Sequence, residues 1–318
     1  MRVESVTEAR NPRTVDIDTL PTLDILGLLN DEDALVAPAV RAALPQLAEA
    51  VDAAVVRFGN GGTIHYFGAG TSGRIGVLDA AELPPTFSVE PHRVVAHRPG
   101  GVGDDVDALE ASEDDEELGR RHAEAVTSED LVIGLTASGR TPYVRGALEA
   151  AAAKGAYTVL VSSRPDGPIA DLVDVHVFVD TGPEAIAGST RLKAGTAQKL
   201  VLNGFSTALM IRLGKTYSNL MVDVRASNSK LRGRVLRILE EATGADEQTC
   251  ARVLRESDGE LKTALVSLLV GTDPAASRDA LKTADGHVRR AIAALSDGDL
   301  QDPTAQADRN PTREEKGR

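Results

Sequence analysis

Five short apolar runs, spaced along the first two thirds of the chain, predict the strands of a buried parallel sheet. The runs occupy 63–67, 94–97, 131–135, 157–162 and 175–179. Segments of helical periodicity separate them at 73–82, 104–125, 141–154 and 167–173. This alternation of strand and helix predicts a doubly wound α/β parallel-sheet sandwich.

The segments on either side of this pattern differ from it. Residues 1–20 are polar and predict an extended arm, and the acids 31–33 precede a periodic stretch from Ala34 to Phe58 that predicts a helix. A long helix is expected over 195–213, and beyond about residue 225 only short helical patterns follow. We therefore expect four parts: an N-terminal arm with helices packing on the core, the α/β core itself, a small C-terminal helical appendage and a disordered tail. Their ranges are 1–58, 59–225, 226–296 and 297–318.

Charge and cysteine content narrow the classes of partner. The 318 residues carry a net charge of −13, which argues against nucleic acid or an anionic membrane as the main partner. One cysteine, Cys250, excludes an intramolecular disulfide and fits a reducing cytoplasm. No run approaches 18 apolar residues, so neither secretion nor a membrane span is expected. Because the net charge is negative, any substrate phosphate must be held locally, by backbone amides and hydroxyls.

A glycine-rich turn follows the first predicted strand. The run GAGTSG, residues 68–73, points backbone N–H groups at the start of a helix, and Thr71 and Ser72 add hydroxyls. The run also satisfies the dinucleotide fingerprint G-x-G-x-x-G, but the acidic residue at the required spacing, Glu90, stands beside a proline rather than at a clear strand end. Nicotinamide binding and an unliganded turn remain alternatives to a site for a phosphate monoester.

A second hydroxyl-rich turn follows the third predicted strand. Ser138 and Thr141 lie there, and Thr141 precedes Pro142 as a helix N-cap would. Because ligands bind outside the carboxyl ends of strands in doubly wound sheets, the two turns can hold one phosphate. The segment 182–199, with Glu184, Arg191 and Lys193, is either a surface loop or a loop that closes over the ligand.

Two carboxylates are candidates for proton transfer. Glu82 lies at the end of the helix that begins at the first turn, and Glu113 lies in an acidic run that is otherwise typical of a solvated helix face. The histidines show no metal-ligand spacing and no Ser-His-Asp order is apparent, so we expect no metal.

Three segments together resemble the N-acetylmuramic acid 6-phosphate etherases, sugar-phosphate lyases with the sugar isomerase (SIS) fold. They are GAGTSGRIGVLDAAELPPTF, ASGRTPYV and the run from GSTRLKAGTAQKLVLN to NLMVDVRASN. The segment GPEAIAGSTRLKAGTAQK also resembles glucokinase regulatory proteins. This chain departs from the etherases in having Ala81 and Leu83 where relatives usually show Ser and Cys.

The resemblance implies a function and roles for particular residues. The reaction is cleavage of the C3 D-lactyl ether of N-acetylmuramic acid 6-phosphate, by elimination and then water addition, without a cofactor. Glu82 matches the catalytic acid and Glu113 a second glutamate important for activity; Ser72, Ser138 and Thr141 match hydroxyls that hold the 6-phosphate.

Other parts of the site and the rival functions also follow from the resemblance. We expect Arg191 or Lys193 to receive the lactyl carboxylate. SIS proteins usually pair and borrow site residues across the dimer, so a homodimer is expected, with helix 195–213 a candidate contact. A non-catalytic phosphosugar sensor and a SIS aldose–ketose phosphate isomerase remain alternatives.

Overall fold

Two compact units make up the chain. The structure, a computed structural model, describes residues 8–100, 112–224 and 229–299. One unit comprises Met1–Pro85 with Val89–Leu209, and the other comprises Thr86–Ser88 with Met210–Arg318. The four-part division expected from the sequence stays a prediction.

The first unit contains a five-stranded sheet in which every neighbouring pair is parallel. Its strands are β1 (Ile64–Gly68), β2 (Val94–His97), β3 (Leu131–Leu135), β4 (Tyr157–Ser162) and β5 (Val175–Phe178). Their order in the sheet is β2-β1-β3-β4-β5. Strands β1 and β3 are buried along their whole length, as central strands covered on both faces must be. The predicted α/β fold and all five predicted strands are confirmed.

Helices cover both faces of this sheet. The helices between residues 22 and 212 are α1 (Thr22–Asp33), α2 (Val36–Ala42), α3 (Leu44–Gly59), α4 (Gly70–Phe87), α5 (Glu116–His122), α6 (Pro142–Ala153) and α7 (Lys193–Arg212). Adjacent residues of β1 point to opposite faces: Phe67 packs in the cluster that contains Val144 and Leu148 of α6, whereas Tyr66 contacts α4 at Gly76.

Several predicted helices have different bounds in the structure. The helix expected over 34–58 is two helices, α2 and α3, and the acids 31–33 end α1 instead of beginning the next helix. The helix expected over 167–173 is a single 3-10 turn at Ala170–Leu172. Of the helix expected over 104–125, α5 covers Glu116–His122, while residues 104–111 lie outside the described residues.

The second unit is helical apart from one short hairpin, β6 (Thr216–Tyr217) and β7 (Leu220–Met221), which the sequence pattern did not predict. Its helices are α8 (Ser229–Thr243), α9 (Glu247–Glu256), α10 (Leu261–Val270), α11 (Pro274–Thr283) and α12 (Val288–Asp299). A buried aliphatic cluster joins them, with Leu239, Leu265 and Ala291 at its centre. The C-terminal helices are thus confirmed, and the predicted disordered tail falls almost entirely outside the described residues.

Within the described ranges, no single helix is both long and apolar enough to cross a membrane, although the bent pair Thr22–Ala42 and Leu44–Gly59 has the length and composition. The apolar side of α3 is used inside the first unit, where Leu47, Val51 and Phe58 are buried.

Candidate active site

A cavity of about 420 Å³ opens at the carboxyl ends of β1 and β3. The chain passes from β1 to β2 on one side and then returns to place β3 on the other side of β1. The two turns that leave β1 and β3 therefore diverge at a topological switch point, the usual ligand site of an open α/β sheet. Thr71 and Ser72 from the first turn and Ser138 and Thr141 from the second all line this cavity. We call it the sheet-edge cavity.

The first turn depends on two glycines. Gly70 has φ of +53°, a left-handed conformation that side chains other than glycine adopt at a cost. A Cβ atom on Gly73 would collide with the carbonyl oxygen of Gly68, so strand and helix can approach this closely only without one. The N-terminus of α4, with its unpaired N–H groups and positive dipole end, therefore lies directly at the cavity wall.

The second turn presents three hydroxyls in one connected group. Thr136 Oγ1 lies 2.7 Å from Thr141 Oγ1 and 3.2 Å from Ser138 Oγ. Thr141 occupies the predicted N-cap position of α6, but its side chain makes no capping hydrogen bond there. Its hydroxyl instead contacts Thr136, the residue that immediately follows β3. The second turn is thus a cluster of hydroxyls facing the cavity, as a phosphate monoester requires.

Glu113 also lines the sheet-edge cavity. Its Oε1 atom lies 2.6 Å from the point where a Cβ atom on Gly70 would stand, so the carboxylate rests over the first turn of α4. An anion at a helix N-terminus is stabilised by the helix dipole. The structure thus brings Glu113 together with both hydroxyl-rich turns.

Two arginines that the sequence analysis did not select form the cationic part of the wall. Arg74 follows the first turn by one residue of α4, and Arg98 immediately follows β2, the strand beside β1. The Cβ atom of Arg98 lies 3.0 Å from where a Gly73 Cβ would stand, so Arg98 packs against the turn itself. Its position after a strand next to β1 is the signal that would have identified it. Glu8, Thr136, Gly188 and Thr190 complete the polar lining.

The cations expected to receive the lactyl carboxylate lie elsewhere. Lys193 is 1% exposed, and its Nζ donates to Glu32 Oε2 at 2.7 Å. Glu32 also accepts from Arg13 Nε at 2.6 Å and from Asn11 Nδ2 at 2.8 Å. The hydrogen bond from Arg13 is the largest influence that lowers the pKa of Glu32 to about 2, against the opposing effect of burial. Lys193 therefore belongs to a buried ionic network.

Glu184 and Arg191 likewise lie outside the cavity lining. Glu184 is fully buried, where its two carboxylate oxygens accept the backbone N–H groups of Lys193 and Ala194 at 2.9 and 3.0 Å. It thus caps the N-terminus of α7, and burial raises its pKa. Arg191 is exposed. The segment 182–199 divides accordingly: Gly188 and Thr190 reach the cavity, whereas its charged residues hold the backbone or face away.

Glu82 stands apart from Glu113 within one chain. It is exposed on α4, twelve residues beyond Gly70, which corresponds to about 18 Å along the helix axis. The helix continues past it to Phe87, through Pro84 and Pro85, and so extends beyond the predicted end at residue 82. A single chain therefore does not place Glu82 in its own sheet-edge cavity.

Among residues 8–100, 112–224 and 229–299, no three His, Cys, Asp or Glu side chains are placed as a metal ion would need them. The expectation of a metal-free site remains a prediction.

Two domain families match this chain. Residues 46–152 match the glucokinase regulatory protein N-terminal SIS domain, and residues 108–207 match the SIS domain. The matched ranges include both turns of the sheet-edge cavity, so the fold that holds the cavity is the SIS fold.

Curated relatives are similar over most of the chain. An N-acetylmuramic acid 6-phosphate etherase of Thermobifida fusca is 61% identical over 84% of this chain and 88% of its own length. An etherase of Streptomyces avermitilis is 52% identical over 91% of this chain and 93% of its own, and one of Salmonella typhimurium is 48% identical over 90% and 97%. With this degree of identity across nearly the whole length, the chain belongs to the N-acetylmuramic acid 6-phosphate etherase family.

Proposed function

We propose that this chain cleaves the C3 D-lactyl ether of N-acetylmuramic acid 6-phosphate, giving N-acetylglucosamine 6-phosphate and D-lactate. The observation that carries the proposal is the sheet-edge cavity, in which two hydroxyl-rich turns meet the carboxylate of Glu113. The 61% identity to an etherase places that cavity in a chain of the matching family.

The two turns are proposed to hold the 6-phosphate. Ser72, Ser138 and Thr141 supply hydroxyl donors, and the N-terminus of α4 supplies backbone N–H groups and the positive end of its dipole. Such local donors matter because the chain as a whole carries a net charge of −13 and would otherwise repel an anionic substrate.

Arg74 and Arg98 are proposed to receive the lactyl carboxylate. Both line the same cavity, and an arginine can bind a carboxylate through two parallel N–H donors. They take the place of Arg191 and Lys193, which the cavity lining does not include.

The chemistry needs one base and one acid. In the ring-opened sugar C3 is β to the C1 aldehyde, so removal of the C2 proton allows the C3–O bond to break. The departing lactyl oxygen takes a proton from the acid. Water then adds, with its oxygen to C3 and a proton returned to C2. We assign Glu113 as the base at C2, since it lies at the cavity wall beside the phosphate turns.

Glu82 is proposed as the acid, supplied by a second copy of the chain. It is exposed and lies about 18 Å along α4 from its own phosphate turn, so a partner's cavity is the one it can enter. Leu78, one turn before Glu82 on the same face of α4, is 52% exposed, and the adjacent Val77 is 41% exposed, so this part of the helix is apolar for a surface. A homodimer that buries this face would cover both residues and remove Glu82 from water.

The other candidate contact, α7, is less available. Most of its large apolar side chains, including Val201, Phe205 and Leu209, are buried inside the chain itself. We therefore place the proposed dimer contact on α4.

We also propose a cytoplasmic location, because the single cysteine, Cys250, is buried and has no partner for an intramolecular disulfide.

The test is D-lactate release from purified protein given N-acetylmuramic acid 6-phosphate, with the unphosphorylated sugar as control. Release from the phosphorylated sugar alone is expected, because the hydroxyl turns recognise the phosphate. Tight binding of that sugar without any D-lactate would contradict the proposal and favour the phosphosugar sensor.

A further inference from the structure

A second cavity of about 350 Å³ lies wholly inside the helical unit. Its apolar floor consists of Val222, Leu261 and Leu281, each at most 6% exposed. Val222 and Asp223 belong to the segment NLMVDV, one of the segments that resemble the etherases. Neither residue lines the sheet-edge cavity. We call this second cavity the helical-unit cavity.

The charges at its wall are out of balance. The carboxylate of Asp223 lies 2.5 Å from Lys215 Nζ and 3.3 Å from Lys262 Nζ, so one anion is shared by two ammonium groups. These side chains are well covered: Lys262 is 15% exposed and Lys215 is 25% exposed. Within the described part of the chain, Asp223 is the only acceptor that Lys262 Nζ has. Lys215 lies outside the cavity lining, but it shares Asp223 with Lys262, so this group of three keeps one uncompensated positive charge.

Other charged groups at the wall do not remove this excess. Glu260 already accepts from Arg278 Nε at 2.9 Å and from Thr263 Oγ1 at 2.8 Å. Arg278 also donates to Asp258 Oδ2 at 2.9 Å, so the two carboxylates leave this group with one negative charge in excess. Lys282 adds a further ammonium at the exposed rim. The four cations and three carboxylates of the wall and its ion pairs therefore keep an excess of one positive charge.

Burial and the nearby Lys215 lower the pKa of Lys262. The charged form of Lys262 is disfavoured because its ammonium is covered and shares the carboxylate of Asp223 with a second ammonium. A bound anion would offset this effect.

We propose that the helical-unit cavity binds a short organic carboxylate, with the carboxylate between Lys262 and Lys282 and the carbon chain on the apolar floor. A monoanion matches an excess of one positive charge. A phosphate monoester, with about two negative charges, would lack the hydroxyl cluster that the sheet-edge cavity provides. The uncompensated ammonium excludes a cation.

D-lactate is a carboxylate of this class. If the proposed ether cleavage is correct, the enzyme itself releases D-lactate. The helical-unit cavity would then bind the product of the same enzyme. That identification rests on the proposed function, whereas binding of a short carboxylate does not.

The experiment is ligand-observed NMR titration of the full chain with sodium D-lactate, L-lactate, acetate and inorganic phosphate. We expect saturable D-lactate binding with a Kd of about 1 mM, the range open to so small a ligand. Lys262→Met should weaken it at least tenfold and Lys282→Gln about threefold, because each loses one ammonium. Preference for D- over L-lactate would identify the product as the ligand, and equal affinity would indicate short carboxylates in general.

Three variants keep the result interpretable. Arg252→Gln removes one exposed positive charge from the same unit, from an ion pair with Glu256, and should leave the Kd unchanged. Arg74→Gln/Arg98→Gln removes the cations of the sheet-edge cavity and should leave this binding intact. Lys262→Met should fold, because Asp223 retains its ion pair with Lys215. If it does not fold, the effect of Lys282→Gln on the Kd for D-lactate tests the proposal.

Several results would overturn the proposal. They are absence of D-lactate binding, binding that survives both lysine variants, binding that disappears in the double arginine variant, and phosphate binding tighter than that of D-lactate. No turnover is needed for any of these measurements, so their outcome is separate from that of the D-lactate release assay.

Discussion

Glu113 Oε1 occupies the space beside Gly70 that a side chain at position 70 would need, 2.6 Å from the ideal Cβ position. Gly70 also has φ of +53°, so an alanine there would be strained as well as in collision with the carboxylate. The carboxylate of Glu113, the proposed base, can therefore take this position only because residue 70 has no side chain.

Gly70→Ala is expected to lower kcat/KM for D-lactate release by about 100-fold, because a displacement of about 1 Å of a catalytic group has this effect. The matched control is Gly27→Ala, a helix position where an added Cβ meets nothing within 4 Å. Near-normal turnover by Gly70→Ala would show that Glu113 does not need this position.

Mixed subunits test whether Glu82 acts from the partner chain. Glu82→Gln and Glu113→Gln should each be inactive alone. When the two are unfolded and refolded together, random pairing should restore about one quarter of wild-type turnover, since half of the dimers are mixed and each has one complete site. Mixtures that stay inactive would place both glutamates in the site of a single chain.

The ionic network around Glu32 is expected to stabilise the first unit. Glu32→Ala leaves the ammonium of Lys193, 2% exposed, without its carboxylate, which should lower the free energy of unfolding by about 3–5 kcal/mol. Arg13→Ala removes a guanidinium that is 56% exposed and should have an effect of about 1 kcal/mol or less. Urea titrations of the two variants measure the difference, and equal small effects would show that Lys193 finds another partner.

Asp79 predicts a pH dependence of stability. Burial raises its pKa to about 6, although its carboxylate accepts hydrogen bonds from Tyr66 and Ser206 at 3.0 Å. The folded state therefore binds the proton more tightly than the unfolded state, and this contribution to stability is lost as pH rises through 6.

The difference between wild type and Asp79→Asn in the free energy of unfolding should consequently shift in favour of the wild type by about 1 kcal/mol between pH 7.5 and pH 5. The exposed Asp171→Asn serves as control. A difference that does not change with pH would mean that Asp79 is ionised throughout this range.

The strands were predictable from sequence because each is a short apolar run between turn residues, and a parallel sheet covered on both faces needs such runs. Residues 34–58 were harder. Their periodicity continues across Ala43, where the backbone leaves helical geometry between α2 and α3, so apolar spacing did not show the break. The β6–β7 hairpin has only two residues in each strand, too few for an alternating pattern.

The residues of the candidate site also differ in whether the sequence alone could identify their role. Ser72, Ser138 and Thr141 were found because hydroxyls in strand-to-helix turns have a local signature. Glu184 and Lys193 resemble ligand-binding residues in sequence, yet a helix cap and a distant carboxylate, Glu32, hold them. Contacts across 161 residues, as between Lys193 and Glu32, leave no local pattern.

The most direct measurement of the proposed reaction is turnover of N-acetylmuramic acid 6-phosphate in H₂¹⁸O, with both products analysed by mass spectrometry. Elimination followed by water addition predicts one ¹⁸O at C3 of N-acetylglucosamine 6-phosphate and unlabelled D-lactate, because the lactyl oxygen leaves with its own carbon. Label in the D-lactate hydroxyl, or no D-lactate at all, would contradict the account.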